Sequence, residues 1–363
     1  MNEVVHLITT ICMGGAEKQL LTLVGEQVKS GRKVTVIYLK GLPELATAFS
    51  MIGAELNDVY SNKNPLIQAF RIRQFLSKKE NYIVHAHLPR AELLTLFLKK
   101  KTKIVLSRHN AEKFFPAAPS IISKTLSVLV ATRANQIIAI SAAVKGYLID
   151  SGEINKQSKV HIVYYGFDSR RIVKNFNHEK VWLPDDCDFI VGTIARLVPQ
   201  KDLYTLMKAF SIFSEKKKAA KLLIVGDGYL KQNLVEYSSE LMIEDKVIWA
   251  GRVENIPSII RQMNIFALTS VYEGFGLVLL EAMAEGVPIV ASRNSAIPEV
   301  LGDGYEGLFE TGNSPMLADR LFEAAEPYKA LKLSNYLSSR IKMFEPNTMR
   351  INIDKIYAEL ERQ

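Results

Sequence analysis

The chain has 363 residues, 48% of them hydrophobic and 23% charged, which excludes a disordered or fibrous protein and predicts two globular domains of similar size. Its two cysteines, Cys12 and Cys187, are too few for a disulfide framework or a cysteine metal site. We recognise neither a signal peptide nor a membrane-spanning segment, so we expect a cytoplasmic protein. The formal net charge is +8, and residues 1–168 hold 22 Lys and Arg against 12 Asp and Glu, so the basic character is wholly N-terminal.

The first half alternates short apolar strands with helical stretches. We predict strands at residues 4–10, 34–39, 83–86, 104–107 and 136–140, and a helix from about Ala16. This alternation indicates a doubly wound parallel sheet, in which ligands bind beyond the carboxyl ends of the strands. Two glycines, Gly14 and Gly15, follow the first strand and enter the helix, where a backbone can approach a bound group closely, although glycine pairs also form plain turns.

Basic clusters interrupt the same half. Arg71 and Arg73 lie in an amphipathic run at residues 66–76, Lys78 and Lys79 follow it, and Lys99 to Lys101 and Lys103 form a second cluster. An anionic phospholipid surface is one partner that such clusters fit, and solvated helix faces are the alternative. Nucleic acid is not expected, because no regular series of aromatic residues interleaves with the cations.

Three histidines fall at strand ends of the first half. His85 and His87 lie two residues apart at the end of the third predicted strand and share one strand face, and His109 follows the next strand. A zinc site would need further ligands that the spacing does not supply, so we predict no metal. For His85 we favour a satisfied core position, whereas His109, between Arg108 and Asn110, is a candidate functional residue.

The strand pattern restarts after a polar stretch at residues 168–188. We predict strands at residues 189–195, 221–225, 247–249, 265–268 and 288–291, which indicate a second sheet. Arg196 and Lys201 follow the first of these strands, and an arginine fork fits diphosphate oxygens. Gly226 and the Arg252–Val253 pair follow two further strands. Asp186 and Asp188 resemble a metal-binding Asp-x-Asp sequence, but they precede a strand, so we assign them no chemistry.

The most informative stretch spans residues 268–292. It reads as a strand, a Gly-x-Gly turn, an apolar helix beginning near Leu277 and a second strand, and the turn aims backbone N–H groups at an anion such as phosphate. Glu281 lies about one turn into this helix, where ribose hydroxyls would satisfy a carboxylate that is otherwise costly to bury. The alternative is that Glu281 faces solvent and Glu273 caps the helix.

Taken together, these motifs resemble the family 4 retaining glycosyltransferases, also called glycosyl transferases group 1, which use nucleotide sugars and have the GT-B fold. The resemblance implies an α/β protein with two Rossmann-like, doubly wound parallel-sheet domains that face each other across a cleft. The expected parts are an acceptor domain at 1–168, a linker at 169–188, a donor domain at 189–345 and a C-terminal helix at 346–363 that crosses back to the N-terminal domain.

The resemblance also implies roles for residues. Arg196, Lys201 and the backbone around the glycine turn would stabilise the departing diphosphate without a metal or other cofactor, and Glu273 would contact the donor sugar. The other implied contacts are also with the donor. Gly274, Phe275, Gly276 and Leu277 would form the turn that binds the diphosphate, Gly14 and Gly15 would approach the diphosphate from the N-terminal domain, and His109 would contact the sugar. Glu281 would bind the ribose hydroxyls, Arg252 and Val253 would flank the base, and Gly226 would line the nucleotide.

The implied function is transfer of a hexosyl or N-acetylhexosaminyl group, with retention, from a nucleoside diphosphate to a hydroxyl. The basic N-terminal half favours a lipid-linked or membrane-presented glycan acceptor, with peripheral contact at the inner face of the membrane. Two alternatives stay open: a nucleotide-sugar epimerase or hydrolase of the same fold, and a noncatalytic nucleotide-sugar-binding partner of a polysaccharide assembly complex. A nicotinamide dehydrogenase is disfavoured, because the first strand is not followed by Gly-x-Gly-x-x-Gly.

Overall fold

The computed structural model describes residues 2–58, 61–154, 157–168 and 187–362 of the chain. They form two compact units: unit 1 comprises residues 1–167 and 344–363, and unit 2 comprises residues 168–343. Most of the predicted linker, residues 169–186, lies outside the described residues, as does Asp186. Within the described ranges, no helix combines the length and the apolar character needed to cross a membrane.

Unit 1 contains a seven-stranded parallel sheet. Its strands are β1 (Glu3–Ile8), β2 (Val34–Tyr38), β3 (Glu55–Asn57), β4 (Tyr82–His87), β5 (Lys103–Arg108), β6 (Gln136–Ala139) and β7 (Val160–Ile162). The sheet order is β3-β2-β1-β4-β5-β6-β7, so the winding direction reverses between β1 and β4. The predicted parallel sheet is confirmed, and the prediction missed only the two edge strands β3 and β7.

Six helices connect the described strands of unit 1 and cover its sheet. They are α1 (Gly15–Lys29), α2 (Ala46–Met51), α3 (Pro65–Leu76), α4 (Pro89–Leu94), α5 (Ser120–Arg133) and α6 (Ala142–Asp150). Local sequence sets where they begin: Asn64 caps α3 by accepting a hydrogen bond from Leu66 N, and Pro65 occupies the first helical position. The predicted start of α1 near Ala16 is confirmed.

Unit 2 contains a six-stranded parallel sheet. Its strands are β8 (Phe189–Ile194), β9 (Ala220–Val225), β10 (Val247–Gly251), β11 (Ile265–Leu268), β12 (Ile289–Ser292) and β13 (Leu308–Phe309). The sheet order is β10-β9-β8-β11-β12-β13. The helices are α7 (Leu203–Lys216), α8 (Lys231–Glu240), α9 (Ile256–Ile260), α10 (Leu277–Ala284), α11 (Ile297–Leu301), α12 (Ser314–Ala325) and α13 (Pro327–Arg340). The restart near Phe189 and the helix start at Leu277 are confirmed. The winding direction reverses between β8 and β11, which marks the expected ligand side.

The last helix, α14 (Pro346–Glu361), belongs to unit 1. Its apolar face joins the core formed by β1, α1, β4, β5 and β6, and Tyr357 is fully buried there. Arg32, between α1 and β2, anchors the helix: its Nη2 lies 3.1 Å from Asp354 Oδ1, and its guanidinium lies over the Tyr357 ring at 5.3 Å. Unit 1 is therefore completed by residues from both ends of the described chain.

Candidate active site

A lysine and a glutamate meet at the point where the sheet of unit 2 changes winding direction. Lys201 follows β8, Glu273 follows β11, and Lys201 Nζ lies 2.5 Å from Glu273 Oε1. The side chains are 14% and 10% exposed, so the pair is largely withdrawn from water. A cation and a carboxylate thus stand together at the carboxyl edge of the sheet, where α/β proteins bind their ligands.

Neighbouring hydroxyl groups hold this pair in place. Ser270 Oγ donates a hydrogen bond to Glu273 Oε1 at 2.7 Å, and Ser295 Oγ accepts one from Glu273 N at 2.8 Å. Thr269, which also follows β11, donates a hydrogen bond from its Oγ1 to Lys201 O, in the loop after β8, at 2.8 Å. Both loops are therefore fixed to each other, and the pair is positioned before any ligand arrives.

Neither a helix cap at Glu273 nor a surface ion pair between Lys201 and Asp202 describes these residues. Glu273 does not cap α10, because the residue at that position is Gly276, in the left-handed region at φ 85°. Lys201 pairs with Glu273 and not with its neighbour Asp202, whose side chain instead caps α7 by accepting from Thr205 N. The charged pair is thus a feature of the site and not of the helix ends.

The first turn of α10 lies directly after this pair. Gly274 to Gly276 form the turn, and only a residue that tolerates a positive φ fits at Gly276. A helix N-terminus carries partial positive charge and favours an anion. Glu281 is the fifth residue of α10 and is half-buried, so it does not simply face solvent.

Close packing explains the glycines after β9. A Cβ on Gly226 would lie 2.0 Å from Ala195 O, and one on Gly228 would lie 2.4 Å from Leu197 O. These glycines let the β9 loop pack against the segment that carries Arg196, which is exposed. After β10, Arg252 is 85% exposed, with its Nε 3.9 Å from Asp227 Oδ2. The four strand ends β8 to β11 therefore present cations and glycines on one edge.

In unit 1, the Gly14–Gly15 turn joins β1 to α1. Glu17, in the first turn of α1, is buried beneath this turn and accepts a hydrogen bond from Thr10 Oγ1 at 2.6 Å. A Cβ on Gly14 would lie 2.2 Å from Glu17 Oε2, so the carboxylate occupies the space that a side chain would need. Gly15 stays exposed, which leaves the backbone of the turn accessible.

A chain of hydrogen bonds runs through the buried histidines of unit 1. We call it the histidine chain: Tyr165 Oη to His109 Nδ1 (2.5 Å), His109 Nε2 to His87 Nδ1 (3.1 Å), His87 Nε2 to His6 Nδ1 (3.0 Å) and His6 Nε2 to Gln27 Oε1 (2.9 Å). Burial lowers the pKa of His6 and of His109 to about 4, and it lowers the pKa of His87 well below the usual value. The imidazoles are therefore neutral at physiological pH.

His85 lies beside the histidine chain. Its Nδ1 contacts Tyr357 Oη at 2.6 Å and its Nε2 contacts Ser107 Oγ at 2.7 Å, so the predicted core position of His85 is confirmed. His6, His85 and His87 bring one ring nitrogen each within 4.8 Å, the distance range of a metal site. Each ring nitrogen of this triad already contacts a protein partner, so an ion could bind only by displacing those hydrogen bonds.

Comparison with known proteins shows the family and the fold of the chain. The family model "Glycosyltransferase Family 4" matches residues 13–171, and the model "Glycosyl transferases group 1" matches residues 174–340. The chain belongs to the family 4 glycosyltransferases. The fold of this glycosyltransferase is GT-B: HepE from Anabaena, solved in complex with UDP and glucose, superposes with a TM-score of 0.81 at 22% identity, over 99% of this chain and 100% of that one.

Two curated relatives match part of this glycosyltransferase. It is 29% identical to N-acetyl-alpha-D-glucosaminyl L-malate synthase of Bacillus anthracis over 260 residues, which are 68% of this chain and 66% of the relative. It is 25% identical to the capsular polysaccharide biosynthesis glycosyltransferase CapM of Staphylococcus aureus over 67% of both chains. The matched region thus spans about two thirds of each relative.

The structure brings some of the predicted site residues of this glycosyltransferase together. Lys201, Glu273 and the first turn of α10 are grouped in unit 2. His109 belongs to unit 1, and both of its ring nitrogens already have hydrogen-bond partners there. The sequence analysis missed Gln27 and His6. A signal existed for His6, because it occupies the fourth position of β1 as His85 does in β4, but the two strands are 79 residues apart and their register is not readable from sequence.

Proposed function

We propose that this glycosyltransferase moves a sugar from a nucleoside diphosphate to a hydroxyl of a membrane-presented glycan, with retention of configuration and without a metal ion. The observation that carries this proposal is the Lys201–Glu273 pair at the first turn of α10. It combines a cation for a diphosphate with a carboxylate for sugar hydroxyls. The complexes of HepE with UDP and with UDP-glucose make a uridine diphosphate sugar the first donor to test.

In this proposal, protein groups alone stabilise the charge that develops when the donor is cleaved. Breaking the sugar–phosphate bond leaves negative charge on the diphosphate and positive character on the sugar. Lys201, Arg196 and the N-terminus of α10 are positive where the diphosphate charge would grow, which is the task a metal ion performs in other transferases. Fixed donors of this kind stabilise a leaving group without reorganising during the reaction.

Glu273 fits hydroxyl recognition better than nucleophilic attack. Lys201 Nζ and Ser270 Oγ both approach its Oε1, so this oxygen is already engaged. Retention in this proposal comes from attack of the acceptor hydroxyl on the same face of the sugar, with the departing phosphate taking the proton. Glu281, half-buried on α10, would accept hydrogen bonds from ribose hydroxyls.

A binding test addresses the donor site. We expect one of the uridine, guanosine and adenosine diphosphate sugars to raise the melting temperature of the native protein and to leave that of Glu281→Ala unchanged. Glu285→Ala is the matched control, because Glu285 ends the same helix and pairs with Arg261, away from the diphosphate end of α10. This control should keep the ligand-induced shift. An equal shift in Glu281→Ala would contradict the assignment.

The acceptor side of the proposal depends on one surface of unit 1. We define the basic apolar face as the exposed residues of α3, of the short 3-10 helix at residues 95–97 and of α5. Both α3 and α5 contact the 3-10 helix, so the three segments are continuous. Its exposed apolar side chains are Leu66 (66%), Ile67 (47%), Phe70 (69%), Phe97 (49%), Ile121 (82%), Ile122 (53%) and Leu129 (50%).

The charged residues of the basic apolar face are all basic. Residues 61–79, 93–111 and 113–149 contain no Asp or Glu, whereas Arg71, Arg73, Lys100, Lys101 and Lys124 are exposed there. Apolar side chains among unopposed cations suit the boundary between acyl chains and anionic headgroups. Contact with a bilayer would place unit 1 beside lipid-linked glycans, and the name of CapM, a capsular polysaccharide biosynthesis glycosyltransferase, supports acceptors of this kind.

Liposome binding tests this surface. The pair Lys100→Glu and Lys101→Glu should weaken binding to phosphatidylglycerol-containing vesicles by at least about 30-fold, because each basic residue near such a surface contributes about 1 kcal/mol. Added salt should weaken binding of the native protein as well. The control is Lys217→Glu with Lys218→Glu, an equal charge change on exposed residues of unit 2. An equal loss of vesicle binding in both double variants would show that the attraction is nonspecific.

A further inference from the structure

One end of the histidine chain sets the direction in which its hydrogen bonds are donated. A neutral imidazole has one N–H donor and one nitrogen acceptor, so the role of any one ring nitrogen fixes the roles of all the others in the chain. At the end opposite Tyr165, Gln27 places Oε1 2.9 Å from His6 Nε2 and its amide nitrogen 3.5 Å from Tyr357 Oη. An amide oxygen only accepts, so His6 Nε2 must carry the proton.

The remaining protons follow from this one. His6 Nδ1 is then an acceptor, and His87 Nε2 donates to it. His87 Nδ1 accepts from His109 Nε2, and His109 Nδ1 accepts from the hydroxyl of Tyr165. Reversing the amide of Gln27 would invert every bond and put a proton on His109 Nδ1. Gln27 therefore decides whether His109 Nδ1 is an acceptor or a donor.

The Tyr165 end of the chain lines a small cavity. The cavity measures about 20 Å³, enough for one hydroxyl-sized group, and its lining includes four polar residues of this region, His87, Ser107, His109 and Tyr165. Gln19 also lines it, is 6% exposed, and its Oε1 has no hydrogen-bond partner among the described residues. An unsatisfied buried acceptor costs free energy unless a ligand or water supplies a donor. The cavity is thus suited to a hydroxyl that donates.

We propose that Gln27 is a positioning residue that keeps His109 Nδ1 an acceptor for a substrate hydroxyl entering this cavity. It acts through His6 and His87 and does not touch the substrate. The entering hydroxyl takes the place of the Tyr165 hydroxyl on His109 Nδ1, while His87 continues to hold the other ring nitrogen. The inference rests on the proposed function, because it assumes that His109 meets a sugar hydroxyl.

Histidine ¹⁵N NMR tests the tautomer without reference to activity. With His109→Asn used to assign the signals, the native protein at pH 7 should show a protonated Nε2 and a bare Nδ1 for His109. Gln27→Met, close in volume but without the amide, should show both tautomers, and Gln27→Glu, which keeps an oxygen for His6, should restore the native pattern. Gln68→Met is the control, because Gln68 is a buried glutamine of the same unit that donates to Leu39 O. It should leave the His109 signals unchanged.

Kinetics complete the test. In Gln27→Met, kcat for the release of nucleoside diphosphate from the donor sugar should fall about tenfold, with the donor KM within twofold, and Gln27→Glu should recover most of the loss. A protonated His109 Nδ1 in the native protein, or an unchanged tautomer in folded Gln27→Met, overturns the proposal. A changed tautomer with native kcat also overturns it. Absence of any nucleotide-induced stabilisation in the native protein would instead contradict the proposed function.

Discussion

Replacing Lys201 with methionine is expected to lower kcat for donor cleavage by about 10²- to 10³-fold, the usual effect of removing one fixed group that stabilises developing negative charge. Methionine keeps most of the side-chain volume, so the change removes mainly the cation. The change also leaves Glu273 without its partner at 2.5 Å, and a largely buried carboxylate loses its counter-charge. The measurement is nucleoside diphosphate release at saturating donor.

Lys221→Met provides the control for this experiment. Lys221 is a buried lysine of unit 2 near the amino end of β9, at the edge of the sheet opposite Lys201, and its Nζ approaches Asp245 O. The same substitution there can lower stability but should leave kcat within about twofold, because it removes no charge from the carboxyl edge. Native kcat in Lys201→Met, with the control also native, would contradict the assignment of Lys201.

Acidification is expected to unfold unit 1 before unit 2. Burial lowers the pKa of His6 and His109 from 6.5 to about 4, and it lowers the pKa of His85 and His87 well below 6.5. The unfolded chain therefore binds more protons than the folded one between these values, and stability falls as the pH falls from 6.5 towards 4. A shift of this size corresponds to about 3 kcal/mol for His6 and for His109.

One carboxyl opposes this trend without reversing it. Burial raises the pKa of Glu92 to about 7, so its contribution to stability is present below the unfolded value of 4.5 and is lost as the pH rises towards 7. Four buried histidines outweigh one such group. Every histidine among the described residues lies in unit 1, which confines the effect to that unit.

Hydrogen exchange followed by mass spectrometry separates the two units. Between pH 7 and pH 5, after correction for intrinsic exchange, peptides of β1, β4 and β5 should lose protection while those of β8, β9 and β11 keep it. A protein whose two sheets lose protection together would show that the buried histidines do not dominate. His161→Asn serves as the control, since this histidine lies at the edge strand β7 and is only partly buried.

The sequence predicted the central strands and the glycine turn of α10 because those segments carry strong local signals. Strands that are buried on both faces read as continuous apolar runs, and Gly276 needs a positive φ. The edge strands β3 and β13 have three and two residues, too few to give any pattern. Family resemblance, and not local pattern, supplied the roles of Glu273 and His109.

The pairings that define the candidate site are of a different kind. Lys201 and Glu273 are 72 residues apart, and His6 and His87 are 81 apart, so their contacts depend on which strands become neighbours in the sheets. Strand order is decided by packing of the whole unit, because many orders satisfy the same local preferences. Gln27 was missed for this reason: on the sequence it is one polar residue in an amphipathic helix.

The path of the chain through unit 1 also bears on its synthesis. Unit 1 is interrupted after residue 167 and resumes at residue 344, where α14 supplies Ile353, Ile356 and Tyr357 to its core. On the ribosome, the N-terminal sheet therefore emerges long before the helix that completes it, whereas unit 2 is a continuous segment and can close first. The early sheet must persist with part of its apolar face uncovered, which makes it the portion of the nascent chain most in need of a chaperone.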